Sequence, residues 1–307
     1  MTDSFERARN FIYRSARPLD LARWRFHFEG GRREDVLKAL ACYQNEDGGF
    51  GHALEPDCWN PHSSPIQTWC AVSILREIGM EDGQHPMMQG ILRYLGSGAD
   101  FSDGQWLNTV PTNNDYPHAI WWEYRAGEPS DYNPTASLAG ALLRFAPRDG
   151  ELYALGETLA REAVTWYFSQ ESVTEPHVLR CFIELWECVQ AAGLSDTDIF
   201  DRTAFEKRLQ TDVTAAICHD TDKWATEYVC KPSQLFRSKD SIFYYAANAD
   251  AADYECEFIL QSQEEDGAYP VTWQWYNDCR EFEVAANWWR SHLIIRNFLY
   301  LRGFGRL

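Results

Sequence analysis

Apolar residues recur at the spacing of one helix face along much of this 307-residue chain, whereas the strict alternation that marks a strand is scarce. Four of the clearest helical segments begin at a proline. The first turn of a helix accepts proline because its φ is locked and its missing N–H is not needed there. These segments span residues 65–78, 134–145, 176–189 and 232–243. Over the whole chain, the pattern predicts about twelve helices in roughly six helical hairpins.

A second pattern follows the helix ends: an acidic or Gln-containing turn, a glycine and then an aromatic residue. In such a turn glycine accepts a positive φ, the Asp and Gln side chains bond loose backbone groups, and the aromatic ring folds back onto the protein. The clearest copies comprise Gln44, Asp47, Gly48, Gly49 and Phe50, and then Gln263, Asp266, Gly267 and Tyr269. Shorter copies lie at 103–106 and 219–224. We therefore expect Asp47 and Asp266 to hold the fold rather than to take part in chemistry.

These turns resemble the repeat motifs of the terpenoid cyclases (squalene and hopene cyclases) and of the protein prenyltransferase β subunits. The resemblance touches about four of five or six repeats, between residues 40 and 275. It implies an all-α fold, a single (α/α)5–6 toroid in which inner and outer helices alternate around a central cavity. Because one toroid needs the whole length, residues 1–307 are expected to form one domain.

Charge and hydropathy narrow the partners that this chain is expected to have. It carries 28 Lys plus Arg against 46 Asp plus Glu, a net charge of −18. This field repels phosphate and no basic cluster offsets it, so neither nucleic acid nor an anionic membrane surface is expected as a partner. No apolar run approaches the roughly 18 residues of a membrane span. Charged residues interrupt the N-terminal segment, which therefore lacks the pattern of a targeting signal and predicts a cytoplasmic protein.

Cysteine usage points to a reduced interior. The nine cysteines form no C-x-x-C pair, and most of them lie in apolar helical stretches. They are expected to be buried, reduced thiols, with a zinc ligand among them as the alternative. No cofactor is predicted.

In a toroid, the residues that precede the proline-led inner helices border the mouth of the cavity, where carboxylates and aromatic faces make the usual form of a ligand site. The acids there are the catalytic candidates: Asp57, Asp115, Glu123 and Asp278. The substrate-binding candidates are polar and aromatic residues of the same segments and of the last helix: Glu55, Trp59, His62, His118, Trp121, Trp122, Tyr132, Asn133, Trp273 and Trp288. Each class has an ordinary alternative, since Asp57 suits a helix cap, Glu123 an exposed position and the histidines a structural hydrogen bond.

The resemblance implies a hydrophobic, isoprenoid-like substrate. Its cyclisation requires an acid that protonates an alkene or epoxide and aromatic faces that stabilise the resulting carbocation. The chain lacks the Asp-x-Asp-Asp acid motif of the cyclases, and the nearest string, at 196–198, favours a helix cap. Asp278 and Cys279 are adjacent, so the spacing of the prenyltransferase zinc ligands is absent and no metal site is predicted.

Three functions therefore stay open at this point. The first is a terpenoid cyclase-like or prenyltransferase-like protein, an isomerase, lyase or transferase, that acts on or binds a hydrophobic small molecule. The second is a carbohydrate-active α/α toroid, a lyase or hydrolase, in which Trp stacks on sugar rings and two carboxylates do the acid and base work. The third is a toroid without catalysis that binds a ligand or a partner protein, because prenyltransferase β subunits act beside a second subunit.

Overall fold

The computed structural model describes residues 3–128, 130–194 and 199–307, and 58% of the structure is helical. The prediction of an all-α fold is confirmed; the arrangement of the helices in a ring stays a prediction. Within the described residues no helix is long and apolar enough to cross a membrane. The helices are α1 (Asp3–Ser15), α2 (Pro18–Phe28), α3 (Arg33–Leu40), α4 (Pro65–Glu77), α5 (Pro86–Gly96), α6 (Thr135–Phe145), α7 (Glu151–Ser169), α8 (Pro176–Ala191), α9 (Arg202–Ala216), α10 (Ala246–Ser262) and α11 (Phe282–Gly303).

The described residues cluster in two compact units. Unit 1 combines residues 3–42 with Thr214–Leu307 and so contains α1 to α3, α10 and α11. Unit 2 is Tyr43–Val213 and contains α4 to α8 with most of α9. The prediction of one domain over the whole chain stays a prediction.

The only strands among the described residues form one short hairpin, β1 (Phe101–Ser102) and β2 (Gln105–Trp106). They pair antiparallel, with Phe101 opposite Trp106. The two residues between the strands, Asp103 and Gly104, have φ of +53° and +78°, as a two-residue hairpin turn requires. The short repeat copy at 103–106 is therefore a β-hairpin rather than the end of a helix.

Three of the four proline-led helices form where the sequence predicts them. Helix α4 begins at Pro65, and the Ser64 hydroxyl caps it by accepting the N–H of Gln67 at 3.3 Å. Helix α8 begins at Pro176, capped by the carboxylate of Glu175. Helix α6 follows Pro134 and is buried almost throughout, because α7 and α8 pack against it. The residue that caps α4 is therefore Ser64 and not Asp57.

The helix predicted at 232–243 is wrong, because only Pro232–Gln234 forms a short 3-10 turn and the next α-helix begins at Ala246. The chain turns between them: the backbone N–H of Ser241 donates to the backbone carbonyl of Ser238, and the Ser241 hydroxyl accepts the N–H of Phe243. The bond to the Ser241 side chain competes with a helical one. The apolar spacing correctly predicts that Phe243 is buried, since it is 1% exposed, but it is wrong about the helix.

The acidic string at 196–198 lies outside the described residues. The nearby carboxylate of Asp201 accepts the N–H of Ala204 at 2.8 Å, at the start of α9. This bond is that of a helix cap, the role that the sequence favours for this stretch.

The clearest repeat loop, in unit 2, is bonded to the start of α5. The Gln44 side-chain amide donates to the carbonyls of Gly48, at 2.9 Å, and of Met87, at 3.0 Å in the first turn of α5. The Asp47 carboxylate accepts the N–H of Gly49 at 2.9 Å. Gly48 has φ of +98°, and a Cβ atom there would overlap the carbonyl oxygen of Gly90. Only glycine fits this position, both for its φ and for its closeness to α5.

The second copy, in unit 1, repeats these contacts against α1. The Gln263 amide donates to Gly267 at 2.9 Å and to Ser4 at 3.0 Å, and the Asp266 carboxylate accepts the N–H of Ala268. Gly267 also has φ of +98°, and a Cβ atom there would overlap the carbonyl of Arg7. In both copies the glycine meets the helix three residues after the carbonyl that the Gln side chain bonds. The structural roles predicted for Asp47 and Asp266 are confirmed.

The aromatic residue of every copy is buried. Phe50 and Trp106 are 0% exposed, and their N–H groups donate to the hydroxyls of Thr68 and Thr135 in the next helices. The remaining two copies end in Trp224 and Tyr269, which are 0% and 3% exposed.

Most of the thiols are buried, as the sequence predicts. None of the nine cysteines forms a disulfide, and five of them are buried. Burial raises the pKa of Cys58 to about 12 and that of Cys256 to about 11, so both stay protonated at neutral pH. No group of three or more His, Cys, Asp and Glu suited to a metal ion lies within the part of the chain that the structure describes.

One buried carboxylate joins three helices of unit 2. Glu184 of α8 accepts hydrogen bonds from the indole of Trp69 in α4, at 2.7 Å, and from the hydroxyl of Ser137 in α6, at 2.6 Å. The guanidinium groups of Arg180 and Arg76 lie 3.1 and 3.5 Å from it. Burial alone would raise the pKa of Glu184, but the two arginines and the two hydrogen bonds together lower it to about 2.

The clamp predicts a large cost for Gly48→Ala. The new methyl group has no space beside Gly90 and the backbone is strained, so the free energy of unfolding should fall by about 3 kcal/mol in urea titrations. Gly98→Ala is the matched control in unit 2, because Gly98 also has a positive φ, +76°, but has nothing within 4 Å of its Cβ position. That variant should lose only about 1 kcal/mol. If both variants lose the same free energy of unfolding, the close approach of Gly48 to Gly90 does not limit this position to glycine.

Glu184→Gln should give a pH-dependent loss of stability. A folded-state pKa of about 2, below the usual 4.5, adds stability above pH 4.5 that is lost as the pH falls towards 2. We expect the variant to be less stable than the wild type by about 3 kcal/mol at pH 7 and by much less at pH 2.5. Glu187→Gln, which changes an exposed carboxylate one turn later, should cost less than about 1 kcal/mol at any pH. If the difference in the free energy of unfolding between the wild type and Glu184→Gln does not change with pH, the pKa of Glu184 is not lowered in the folded state.

Candidate functional site

The two longest segments predicted at the rim, both in unit 2, lie against each other. The N–H of Trp59 donates to Pro117, and the N–H of Ala119 donates to the carbonyl of Asp57 at 2.8 Å. Between these bonds, Cys58 and His118 form a bridge of the antiparallel type. Residues about 60 positions apart in the sequence are thus brought together, as the prediction of a shared rim requires.

A buried glutamine of α4 holds the first of these segments in place. The Gln67 side chain, 0% exposed, donates to the carbonyl of Asn60 at 3.0 Å and accepts the N–H of Glu55. The Glu55 carboxylate accepts the N–H of Asp57 at 2.8 Å. Glu55 and Asp57 are only 6% and 2% exposed, so the turn buries two carboxyl groups side by side.

The two candidate histidines of this rim lie on either side of one tyrosine. The Tyr116 hydroxyl lies 3.3 Å from His62 Nε2, and the Tyr116 carbonyl lies 2.6 Å from His118 Nδ1. A carbonyl only accepts, so His118 carries a hydrogen on Nδ1. Trp59 is oriented by its indole N–H, which donates to Pro56. These contacts order the segment.

The two acids of the second segment lie at the surface. Asp115 is exposed, and Glu123 pairs with Arg125 at 2.6 Å. Trp121 is 39% exposed. The indole N–H of Trp122 is buried, and it finds no hydrogen-bond partner among the described residues. The catalytic roles of the acids stay predictions.

Tyr132 and Asn133 lie in the segment that leads into α6. The Asn133 side-chain oxygen accepts the thiol of Cys181 at 3.4 Å. Tyr132 has φ of +64°, which is strained for an aromatic residue. Its backbone is held from both sides, by its N–H on the Gln105 side chain at 3.2 Å and by its carbonyl, which accepts the N–H of Ala136. The surroundings therefore impose the strain and fix the direction of the ring.

This ring forms one side of a surface hollow of about 420 Å³ in unit 2. Tyr132 lies 5.5 Å from the ring of Trp166, which stacks on Phe182 with 9° between the planes. The other lining residues are polar and come from one face of α7: Arg161, Glu162, Thr165 and Ser169. Burial and the nearby charge of Glu162 raise the pKa of Tyr132, so its hydroxyl stays a donor at neutral pH. The hollow thus combines aromatic rings, hydroxyl groups and one charge of each sign.

Unit 1 contains a line of aromatic rings, which we call the aromatic wall: Tyr228, Trp273, Trp289 and His292. Successive rings meet edge to face, with centroids 5.7, 5.4 and 5.3 Å apart. Tyr228 is 49% exposed, and the two tryptophans are partly exposed. The buried indole N–H of Trp289 has no partner among the described residues.

A buried ion pair of α2 fixes the end of this wall. Asp20 and Arg23 are 0% and 2% exposed and lie 3.0 Å apart, and Arg23 Nη1 lies 3.3 Å from His292 Nδ1. Arginine can only donate, so Nδ1 accepts and the ring hydrogen of His292 is on Nε2. Of the other candidates in this unit, Trp288 lies under the guanidinium of Arg17 at 5.2 Å, and Asp278 is exposed in the loop before α11.

Several residues of these sites escape the sequence reasoning. Glu184 falls within an apolar helix face, and only the packing of α8 on α4 and α6 gives it partners. Trp166 and Glu162 lie on α7, which no rim motif marks. The charged residue pair Asp20 and Arg23 has an i, i+3 spacing that is common on exposed helices, and its burial is visible only in three dimensions.

We compared the chain with protein-family models, with curated proteins and with solved structures. None of the three comparisons gives a match.

Proposed function

We propose that this chain is a terpenoid cyclase-like or prenyltransferase-like protein, folded as a single (α/α)5–6 toroid, that acts on or binds a hydrophobic, isoprenoid-like molecule. The resemblance rests on the loops Gln44 to Phe50 and Gln263 to Tyr269. It is supported by their matching contacts, because a repeated sequence motif that forms the same clamp twice is typical of a repeat architecture.

The aromatic wall is the observation that carries the ligand class. Its rings offer apolar area together with the negative faces that attract a cation. Trp273 is a residue that the sequence reasoning assigned to substrate binding, and its ring lies 5.4 Å from that of Trp289. An isoprenoid suits such a surface, because its chain is apolar and its cyclisation passes through carbocations.

Catalysis would further require an acid that protonates an alkene or an epoxide. The candidates remain Asp57, Asp115, Glu123 and Asp278, of which Asp57 is the most buried. Binding without turnover would leave the proposal of a ligand site intact and would place the chain in the class of non-catalytic toroids.

Binding to the wall should depend on Trp273. Titration with farnesol and geranylgeraniol should change the tryptophan fluorescence of the wild type, and Trp273→Ala should bind them about tenfold more weakly, a loss of about 1.4 kcal/mol. Trp166→Ala, which removes a partly exposed tryptophan of unit 2, is the matched control and should bind as the wild type does. Failure of the wild type to bind any prenyl alcohol would refute the proposed ligand class. The four acids are tested with prenyl diphosphates and squalene epoxide as substrates. The acid that protonates the substrate is the one whose amide variant abolishes turnover, among Asp57→Asn, Asp115→Asn, Glu123→Gln and Asp278→Asn.

A second candidate, a carbohydrate-binding function, is favoured by the hollow at Tyr132 and Trp166. Sugars stack on aromatic rings through their C–H faces and bond to hydroxyl and charged groups through their edges. Arg161 and Glu162 have opposite charges, so the lining suits a neutral ligand. The volume of about 420 Å³ lies at the small end of the usual range for ligand sites, roughly 300–1,000 Å³.

Neutral oligosaccharides provide the test of this second candidate. If the hollow is a sugar site, calorimetric titration of the wild type should detect binding that Trp166→Ala weakens about tenfold and Trp273→Ala leaves unchanged. The two tryptophan variants therefore exchange the roles of test and control between the two experiments. Sugar binding that neither variant alters would remove the hollow from consideration.

A further inference from the structure

The hollow at Tyr132 and Trp166 in unit 2 carries one charge of each sign, but the two charged groups are held differently. The guanidinium of Arg161 is tied to the protein, since its Nη1 donates to the carbonyl of Ile199 at 2.8 Å. The carboxylate of Glu162 is exposed, and it has no hydrogen bond or ion pair with any residue that the structure describes. Its oxygens are therefore available to a ligand.

The two aliphatic hydroxyl groups of the lining present acceptors rather than donors. Thr165 donates its hydroxyl hydrogen to the carbonyl of Arg161 at 2.8 Å, and Ser169 donates to that of Trp166 at 2.7 Å. The Ser169 oxygen also accepts the side-chain amide of Gln170 at 2.9 Å. Because a hydroxyl has a single hydrogen and two lone pairs, both oxygens offer a ligand only lone pairs.

The aromatic rings of the hollow favour the same sign of charge in a ligand. Tyr132 and Trp166 have ring centroids 5.5 Å apart, with 46° between the planes. The face of an aromatic ring is negative and attracts a cation. Carboxylate, hydroxyl oxygens and ring faces thus all suit one kind of group, a positively charged group that donates hydrogen bonds.

The hairpin of β1 and β2 holds the tyrosine ring and the carboxylate together. The Gln105 side chain accepts the backbone N–H of Tyr132 at 3.2 Å. In the turn of the hairpin, a Cβ atom added at Gly104 would lie 3.7 Å from Oε2 of Glu162. Burial raises the pKa of Tyr132 and the charge of Glu162 raises it further, as expected of a carboxylate near that ring. The acid and the ring therefore belong to one site.

We propose that this hollow binds an amino sugar, whose ring packs on Trp166 and whose ammonium group pairs with Glu162. The inference rests on the second candidate function, a carbohydrate site, and names the class of sugar. The ammonium hydrogens are shared by the carboxylate and the oxygens of Thr165 and Ser169. The remaining N–H groups of Arg161 suit the sugar hydroxyls, which a simple amine lacks. The net charge of −18 adds a long-range attraction for such a cation.

Calorimetric titration of the full-length chain with two disaccharides tests the proposal. The β-1,4-linked disaccharide of glucosamine and cellobiose share one carbon skeleton and differ at C2 of each ring, which carries an ammonium group in the first and a hydroxyl in the second. At pH 6, where the sugar amines are protonated, we expect the glucosamine disaccharide to bind about tenfold more tightly, because a hydrogen bond to a charged group is stronger than one between neutral groups.

Two variants with the same net charge identify the carboxylate. Glu162→Gln should lower the affinity for the glucosamine disaccharide to that for cellobiose, and it should leave cellobiose binding unchanged. Glu151→Gln is the matched control, because it also removes one exposed carboxylate from α7 but lies outside the lining of the hollow. It should leave the preference for the amino sugar intact.

Equal affinity for the two disaccharides, or a preference that persists in Glu162→Gln, would overturn the proposal. If the two bind equally and Trp166→Ala weakens both, the hollow is a sugar site without a preference for amines, so the second candidate function stands while this inference fails. If neither disaccharide binds, the second candidate function fails together with the inference.

Discussion

The structure depends on a glutamine side chain that bonds two backbone carbonyls at once, one in its own loop and one at the start of another helix. Gln44 does this in unit 2 and Gln263 does it in unit 1. The bonds draw the loop so close to the helix that only glycine fits at Gly48 and Gly267. The aromatic residue that follows is thereby turned inwards, and the chain leaves the loop towards the next element. In unit 2 this exit leads directly into the buried turn that carries Glu55 and Asp57.

Side-chain hydrogen bonds also hold the buried carboxylates of this chain, which accept bonds from protein donors. Glu184 receives an indole, a hydroxyl and two guanidinium groups, and its pKa is lowered to about 2. Glu255 is 1% exposed, and burial raises its pKa although the bonds from Ser233 act in the opposite sense. Burial acts in the same direction on both carboxyl groups, and only at Glu184 do the partners outweigh it. The first is suited to joining the helices of unit 2, and the second fixes the short turn at Ser233 in unit 1.

The helices were more predictable from the sequence than the sites. Proline starts and apolar spacing predict α4 and α8 because both features are local, and the same features mislead at 232–243, where serine side chains compete for the backbone. The roles of Asp47 and Asp266 were predictable because a helix end has a fixed set of unpaired backbone groups. By contrast, Trp166 joins Tyr132 only through the packing of segments more than 30 residues apart, which no local pattern encodes. Burial of Asp57 likewise depends on a second segment more than 50 residues away.

Hydrogen exchange at the two clamps tests the central claim most directly. The amides of Gly48 and Gly267 donate to the carbonyls of Asn45 and Glu264 at 3.0 Å, in loops that the Gln side chains hold closed. Peptide-resolved deuterium exchange should therefore show both loops protected to the degree of the neighbouring helices, although neither loop is helical. Exchange of either loop at the rate of an unstructured peptide would contradict the claim that these clamps hold the fold.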